Sequence, residues 1–350
     1  MNPLPDPGLA VHFANFAATT RRRAPLYSRL SAGIADSPLL PVLFQDALGP
    51  ARVPVILFAA VHDLLLADRS ASLARFYPNL AEHPDPGDPV PEFLDFCAAH
   101  AAAIRQTVAT RLPQTNEIGR SALLLAGFDR LDAPRLAHLD VGASVGLNLM
   151  VDRLGYRDGH GAQLGSSTVV LECSVRGDPP RLARRLPVIG ARLGLDAHPI
   201  DTGDADALRW LEACVWPDQA DRFHLLEAAL ELQARHPVEV RRGDAVDDLA
   251  TAVTALGGRG HPVITTSWVL CYLTSERQQA WLDETDRLGA GTDLSWVWAE
   301  APARVDILPV AAELAGSETT TLGITTWRDG RRTDRVLAEC HPHGYWLQWL

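Results

Sequence analysis

LDVGASVGLNL, Leu139 to Leu149, reads as an apolar strand ending at Asp140, a turn of small residues through Gly142, Ser144 and Gly146, and the start of an amphipathic helix. Glycines in such a turn let the backbone reverse tightly and let a ligand approach the amino terminus of the next helix. Outward from this stretch the second half alternates short apolar runs with helical ones. The runs are RLAHLDVG from Arg135, ARLGLDAHP from Ala191, VEVRRGDA from Val238, PVITTSWVL from Pro262 and LSWVWAE from Leu294, followed by TTTLGITTW and RVLAECHP. Strand alternating with helix predicts an α/β fold with a mostly parallel sheet and helices on both faces. The stretch of about 155–188, with the β-rich STVVLECSVRG, is longer than a crossover needs and reads as an insertion.

Before this region, from Leu9 to Leu131, apolar residues recur at three- and four-residue spacing, as in LAVHFANFAATT, VPVILFAAVHDLLLA and EIGRSALLLAGFDRL. The expectation is therefore an all-helical N-terminal domain or cap over 1–131 and a sheet domain over 132–350. The proline-rich HPDPGDPVP, His83 to Pro91, breaks the helical region.

Composition narrows the chemistry. The 350 residues carry a net charge of −11, which offers no general attraction to nucleic acid or an anionic membrane, so a small-molecule substrate is expected. All 32 basic residues are arginine, which excludes Schiff-base, phosphate-loop-lysine and Ser-Lys chemistry. The five cysteines include no C-x-x-C pair, so neither disulfides nor a structural metal is expected. MNPLPDPGLAVHF lacks the pattern of a signal peptide and no apolar run is long enough to span a membrane, so a cytoplasmic location is expected. The sequence does not reveal the oligomeric state.

The Asp140-to-Gly146 turn resembles the first motif of class I S-adenosylmethionine-dependent methyltransferases, with Ser144 where the middle glycine usually stands. Further along, GLDAHPID places Asp196 at a strand end, VRRGDAVDDL places Asp244 and Ala245 after a third strand, and PVITTSWVLCYL resembles the fourth motif, a strand leading through Ser267 into a helix. The resemblance implies S-adenosylmethionine as cofactor, a Rossmann-like methyltransferase-type domain, and cofactor-binding roles for Asp140, Gly142, Ser144, Gly146, Asn148, Asp196, Asp244, Ala245 and Ser267. Asp196 would accept from both ribose hydroxyls, because a carboxylate has lone pairs for a vicinal diol.

A polar cluster, Gln114-Thr115-Asn116-Glu117 with Arg120, precedes the apolar SALLLAGF. Its structural reading is Asn116 capping that helix and Arg120 pairing with Glu117. Its functional reading makes Glu117 the base, with Asn116 beside it, and gives the acceptor to Gln114, Arg120, Trp268 and Tyr272. The same turn is also literally G-x-S-x-G, which makes Ser144 a hydrolase nucleophile with Asp244 or Glu300 as the acid and His341 or His343 as the base. A non-catalytic scaffold is a third reading. His62, among apolar neighbours, reads as a core histidine.

Taken over the whole chain, FAAVHDLLL, FYPNL, QTNEIGRSALLL, DVGASVGLNL, the W-P-x-Q run from Trp216 and CHPHGYWLQWL resemble the bacterial family called domain of unknown function 2332. That resemblance implies an architecture and leaves the chemistry open.

Overall fold

The computed structural model describes residues 7–47, 53–114, 116–159, 161, 163–179 and 181–350. The chain divides into two compact units, Met1–Thr115 with Asp201–Glu227, and Asn116–Ile200 with Ala228–Leu350.

The first unit contains α1 (Pro7–Thr20), α2 (Pro25–Ala35), α3 (Leu39–Leu43), α4 (Pro54–Ala67), α5 (Val90–Ala99) and α6 (Ala101–Thr110). Proline stands in the first turn of α2, α4 and α5, where its missing N–H has no intrahelical partner to lose. Helix α4 is apolar on nearly every side and is accordingly buried along Ile56–Asp63, which makes it the centre of this unit. Phe13, Tyr27 and Phe93 pack on its Phe58 at edge, stacked and tilted angles respectively. Each such side chain contributes about 2–3 kcal/mol by leaving water. Helix α8 (Ala205–Ala213) also belongs to this core through Trp210 and Ala213.

The second unit contains α7 (Arg120–Phe128) and a nine-stranded sheet. In chain order its strands are β1 (Leu136–Val141), β5 (Ser174–Arg176), β6 (Ile189–Asp196), β7 (Val240–Arg242), β8 (His261–Ser267), β9 (Leu294–Glu300), β10 (Thr320–Arg328), β11 (Arg331–Cys340) and β12 (Trp346–Trp349). Spatially they run β5-β12-β11-β10-β9-β8-β1-β6-β7. The pairings β7 to β6, β6 to β1, β1 to β8, β8 to β9 and β12 to β5 are parallel, and the three from β9 to β12 are antiparallel. The sheet is thus mostly parallel, with a meander at one side.

Strand β9 shows how the faces are covered. Successive side chains alternate across a sheet, and all of β9 is buried. Val297 lies under Gly127 of α7, while Trp296 meets Trp281 of α11 (Ser275–Gly291) on the other face. The strands are also linked by α9 (Ala220–Arg235) and α10 (Leu249–Ala255).

The insertion forms β2 (Gly155–Arg157), β3 (Gln163–Leu164) and β4 (Val170–Glu172), a separate three-stranded sheet, and its β5 reaches the main-sheet edge beside β12. One expectation is corrected here. The turn after β1 leads into a 3-10 helix, Leu147–Arg153, kinked at Met150, rather than an α-helix. The chain must enter β2 two residues later, which leaves no length for a crossover helix at this point.

Candidate functional site

In a parallel sheet, ligands bind beyond the carboxyl ends of the strands where the strand order reverses. Here that place lies between β1, which neighbours β6 on one side, and β8 on the other. The turn beyond β1 has left-handed backbone at Gly142, Ser144 and Gly146, with φ of 75°, 53° and 87°. A Cβ on Gly142 would fall 2.3 Å from Val269 Cγ2, so both the conformation and the space require glycine. Ser144 adopts this conformation against the usual preference, which costs about 1–2 kcal/mol. Offsetting this, its N–H donates to Asp196 Oδ2 at 2.7 Å, and Asp196 Oδ1 accepts from His198 N–H at 2.7 Å. Asp196, at the end of β6, therefore fastens its own loop to the glycine turn.

Asp140 is 1% exposed. Its Oδ1 accepts from the Thr265 hydroxyl at 2.6 Å, and Thr265 Oγ1 lies 2.8 Å from His138 Nε2. With the threonine proton directed at Asp140, the histidine is the donor, a tautomer set by the network. Burial holds His138 neutral, its pKa lowered to about 3. Burial also raises Asp140 to about 7, while the Thr265 hydrogen bond and Arg120 pull it down and Asp196 adds to the rise. Asp140 Oδ2, Ser144 Oγ and Ser267 Oγ are buried and have no hydrogen-bond partner among the described residues. Three polar atoms thus stand unused around the ends of β1 and β8, where each unmet partner costs about 1–3 kcal/mol.

The polar segment before α7 comes to this place. The Asn116 amide donates to Ala143 O at 3.3 Å, inside the glycine turn. Asn116 does not cap α7, whose N-cap is Gly119 without a side-chain bond. Arg120 is 9% exposed and donates from Nη1 to Ser267 O and from Nε to Pro342 O, both at 2.9 Å. Glu117 Oε1 accepts from Gly119 N–H, and its Oε2 lies 2.9 Å from His343 Nδ1. Glu300, fully buried at the end of β9, accepts from Val269 and Leu270 N–H. Burial raises its pKa to about 7, opposed by those backbone bonds, by Thr266 and by Arg120. Arg120 is accordingly a buried cation acting on both Asp140 and Glu300.

Other expected residues have different employment. Asn148 accepts from the Ser121 hydroxyl at 2.8 Å and so anchors α7. Asp244 accepts from Val246 and Asp247 N–H and pairs with Arg277, the pattern of a loop-end carboxylate, while Ala245 packs on the sheet core. Trp268 has φ 56°, donates to Thr320 Oγ1 at 2.7 Å, and has the guanidiniums of Arg120 and Arg304 each 5.9 Å from its ring. Tyr272 is 82% exposed. Gln114 lies in the helical unit, its N–H on Cys214 Sγ, and Thr115 lies outside the described residues. His62 is buried between Ala213 O and Asn79, and burial lowers its pKa to about 4.

The hydrolase constellation is not brought together among the described residues. Ser144 Oγ has no hydrogen-bond partner, Asp244 holds Arg277, Glu300 holds backbone N–H groups, His343 faces Glu117 and the His341 ring stacks on Tyr345. Sequence reading did not single out Thr265, His138 or Gln233, whose amide donates to Val145 O. Their importance comes from register across the sheet, which no local motif marks: Asp140 is level with Thr265 in the β1 to β8 pairing.

Among the described residues, no three His, Cys, Asp or Glu side chains gather for a metal ion, and no helix is long and apolar enough to cross a membrane. The chain belongs to the family described as "Uncharacterized protein conserved in bacteria (DUF2332)", whose model matches residues 10–349. No curated protein matches it.

Proposed function

We propose that this protein is an S-adenosylmethionine-dependent methyltransferase acting on a small molecule, with its second unit a Rossmann-like methyltransferase-type domain. The observation that carries the reading is the left-handed glycine turn at the strand-order reversal, fastened by the carboxylate at the end of the next strand. A donor-rich nucleoside fits the acceptors present. Asp196 retains lone pairs beyond its two backbone bonds for ribose hydroxyls, and Asp140 Oδ2 and the hydroxyls of Ser144 and Ser267 have capacity to spare. When bound, the cofactor would supply an electrophilic methyl group. The chain would contribute position: the turn holds one partner close to β1, and Asn116, Glu117 and Arg120 line the acceptor side. The acidic chain, with net charge −11, suits a small polar acceptor rather than a nucleic acid.

Calorimetric titration with S-adenosylmethionine and S-adenosylhomocysteine tests this directly. Saturable binding, weakened about tenfold or more in Asp196→Asn, supports it, since a hydrogen bond to a charged group is worth about 1.5–3 kcal/mol. No binding to folded, ligand-free protein removes it. One observation favours the hydrolase reading, the left-handed Ser144 with an unpartnered Oγ, and labelling of Ser144 by a fluorophosphonate would bring that reading forward.

A further inference from the structure

The carboxyl-terminal CHPHGYWLQWL folds back against the segment that begins at Asn116. A Cβ on Gly344 would lie 2.1 Å from Gly119 O, and one on Gly119 would lie 2.3 Å from His343 O, so the two backbones touch. Arg120 closes the junction through Pro342 O and joins it to Ser267 at the end of β8. Within this junction Glu117 and His343 form an asymmetric pair. The Glu117 side chain is 4% exposed and that of His343 is 30% exposed, with Oε2 2.9 Å from Nδ1, a charge contact rather than an aligned hydrogen bond. His343 Nε2 makes no hydrogen bond to any described residue. His341 and Tyr345 are the ionisable neighbours on the same loop, with ring centroids 5.5 Å and 6.1 Å from that of His343, and Arg120 is the nearby cation on α7. The His343 N–H donates to His341 Nδ1, which leaves the His341 proton on Nε2 and fixes the loop.

We infer that His343 is the general base of the strand-end site, with the Glu117 carboxylate beside Nδ1 favouring the proton there and leaving the lone pair on Nε2. Glu117 is then a positioning residue rather than the base. A buried carboxylate behind a part-exposed imidazole sets the tautomer and steadies the imidazolium formed when Nε2 takes a proton. In that step the X–H proton of the acceptor moves to Nε2 and its bonding pair remains on X. This selects acceptors that must lose a proton, namely hydroxyls, thiols and protonated amines. The identity of the acceptor chemistry rests on the proposed methyl transfer; the base itself does not.

The test uses the full chain without substrate. Long-range proton–nitrogen correlation on ¹⁵N-histidine protein at pH 8 reads the His343 tautomer, and carbethoxylation followed by peptide mass spectrometry reads the reactivity of Nε2. Wild type should show the proton on Nδ1 and rapid modification of His343. Glu117→Gln keeps the shape, but with Gly119 N–H on its carbonyl it turns an amide donor towards Nδ1. The tautomer should then reverse, and modification at Nε2 should fall about tenfold or more once the carboxylate charge beside Nδ1 is gone. An Nε2–H tautomer in the wild type, or a variant indistinguishable from it, overturns the inference. If these outcomes hold while S-adenosylmethionine fails to bind, methyl transfer falls and the base stands; the converse removes the base alone.

Discussion

Replacing Asp140 by Asn should change the pH dependence of stability by an amount the structure sets. Asp140 is nearly fully buried, its Oδ2 has no partner, and its pKa is raised from 3.8 to about 7, with burial the largest cause. A carboxyl that holds its proton more tightly when folded contributes stability that is complete below the unfolded pKa and is lost as pH rises through the folded one. By pH 8 the whole difference acts, about 4 kcal/mol against folding, whereas at pH 5 only about 1.5 kcal/mol does. Asp140→Asn removes this dependence. It also leaves amide hydrogens unpaired in the place of Oδ2, but that penalty is the same at both pH values and cancels in the difference. Urea unfolding followed by tryptophan fluorescence should therefore show the variant gaining about 2–3 kcal/mol on wild type between pH 5 and pH 8. His62 and His138 act in the opposite sense, since their depressed pKa values contribute stability above about 6.5 that is lost on acidification, and they do so equally in both proteins. Parallel pH profiles for the two proteins would refute the buried, ionisable Asp140.

Gly142→Ala should destabilise by about 2–4 kcal/mol, from a left-handed backbone and a methyl group driven into Val269, measured by the same unfolding. Arg120→Met leaves Ser267 and Pro342 carbonyls without their charged donor and should cost about 2–5 kcal/mol. Because Arg120 lowers the pKa of both Asp140 and Glu300, that loss should be larger at pH 8 than at pH 6; equal losses would deny it this role. Ser144→Ala removes a hydroxyl without a partner and keeps the N–H bond to Asp196, so stability should stay within about 1 kcal/mol, while cofactor affinity should fall by up to about tenfold, the worth of one neutral hydrogen bond.

The strands, the glycine turn and the helical first third were legible because each is a local pattern: apolar periodicity of two or near four, small residues where the chain reverses, prolines at breaks. Asp140 and Asp196 could be placed at strand ends for the same reason. What those carboxylates do was not legible. Asp196 binds the turn through Ser144 N–H, and Asp140 meets Thr265 only because β1 and β8 lie parallel in that register. Asp201–Glu227, between two strands of the sheet unit, joins the helical one because Trp210 and Ala213 bury their apolar surface in its core; that choice depends on complementary packing and leaves no periodic mark. Glu117 and His343, more than two hundred residues apart, likewise meet only once the closing loop packs glycine against glycine. Apart from the 3-10 helix after β1, the sequence by itself determined which segments are strands, helices and turns, since backbone sterics and apolar spacing act over a few residues. The tertiary structure alone decided which polar groups are buried, which are paired and which are left over, because those depend on contacts between segments far apart in the chain.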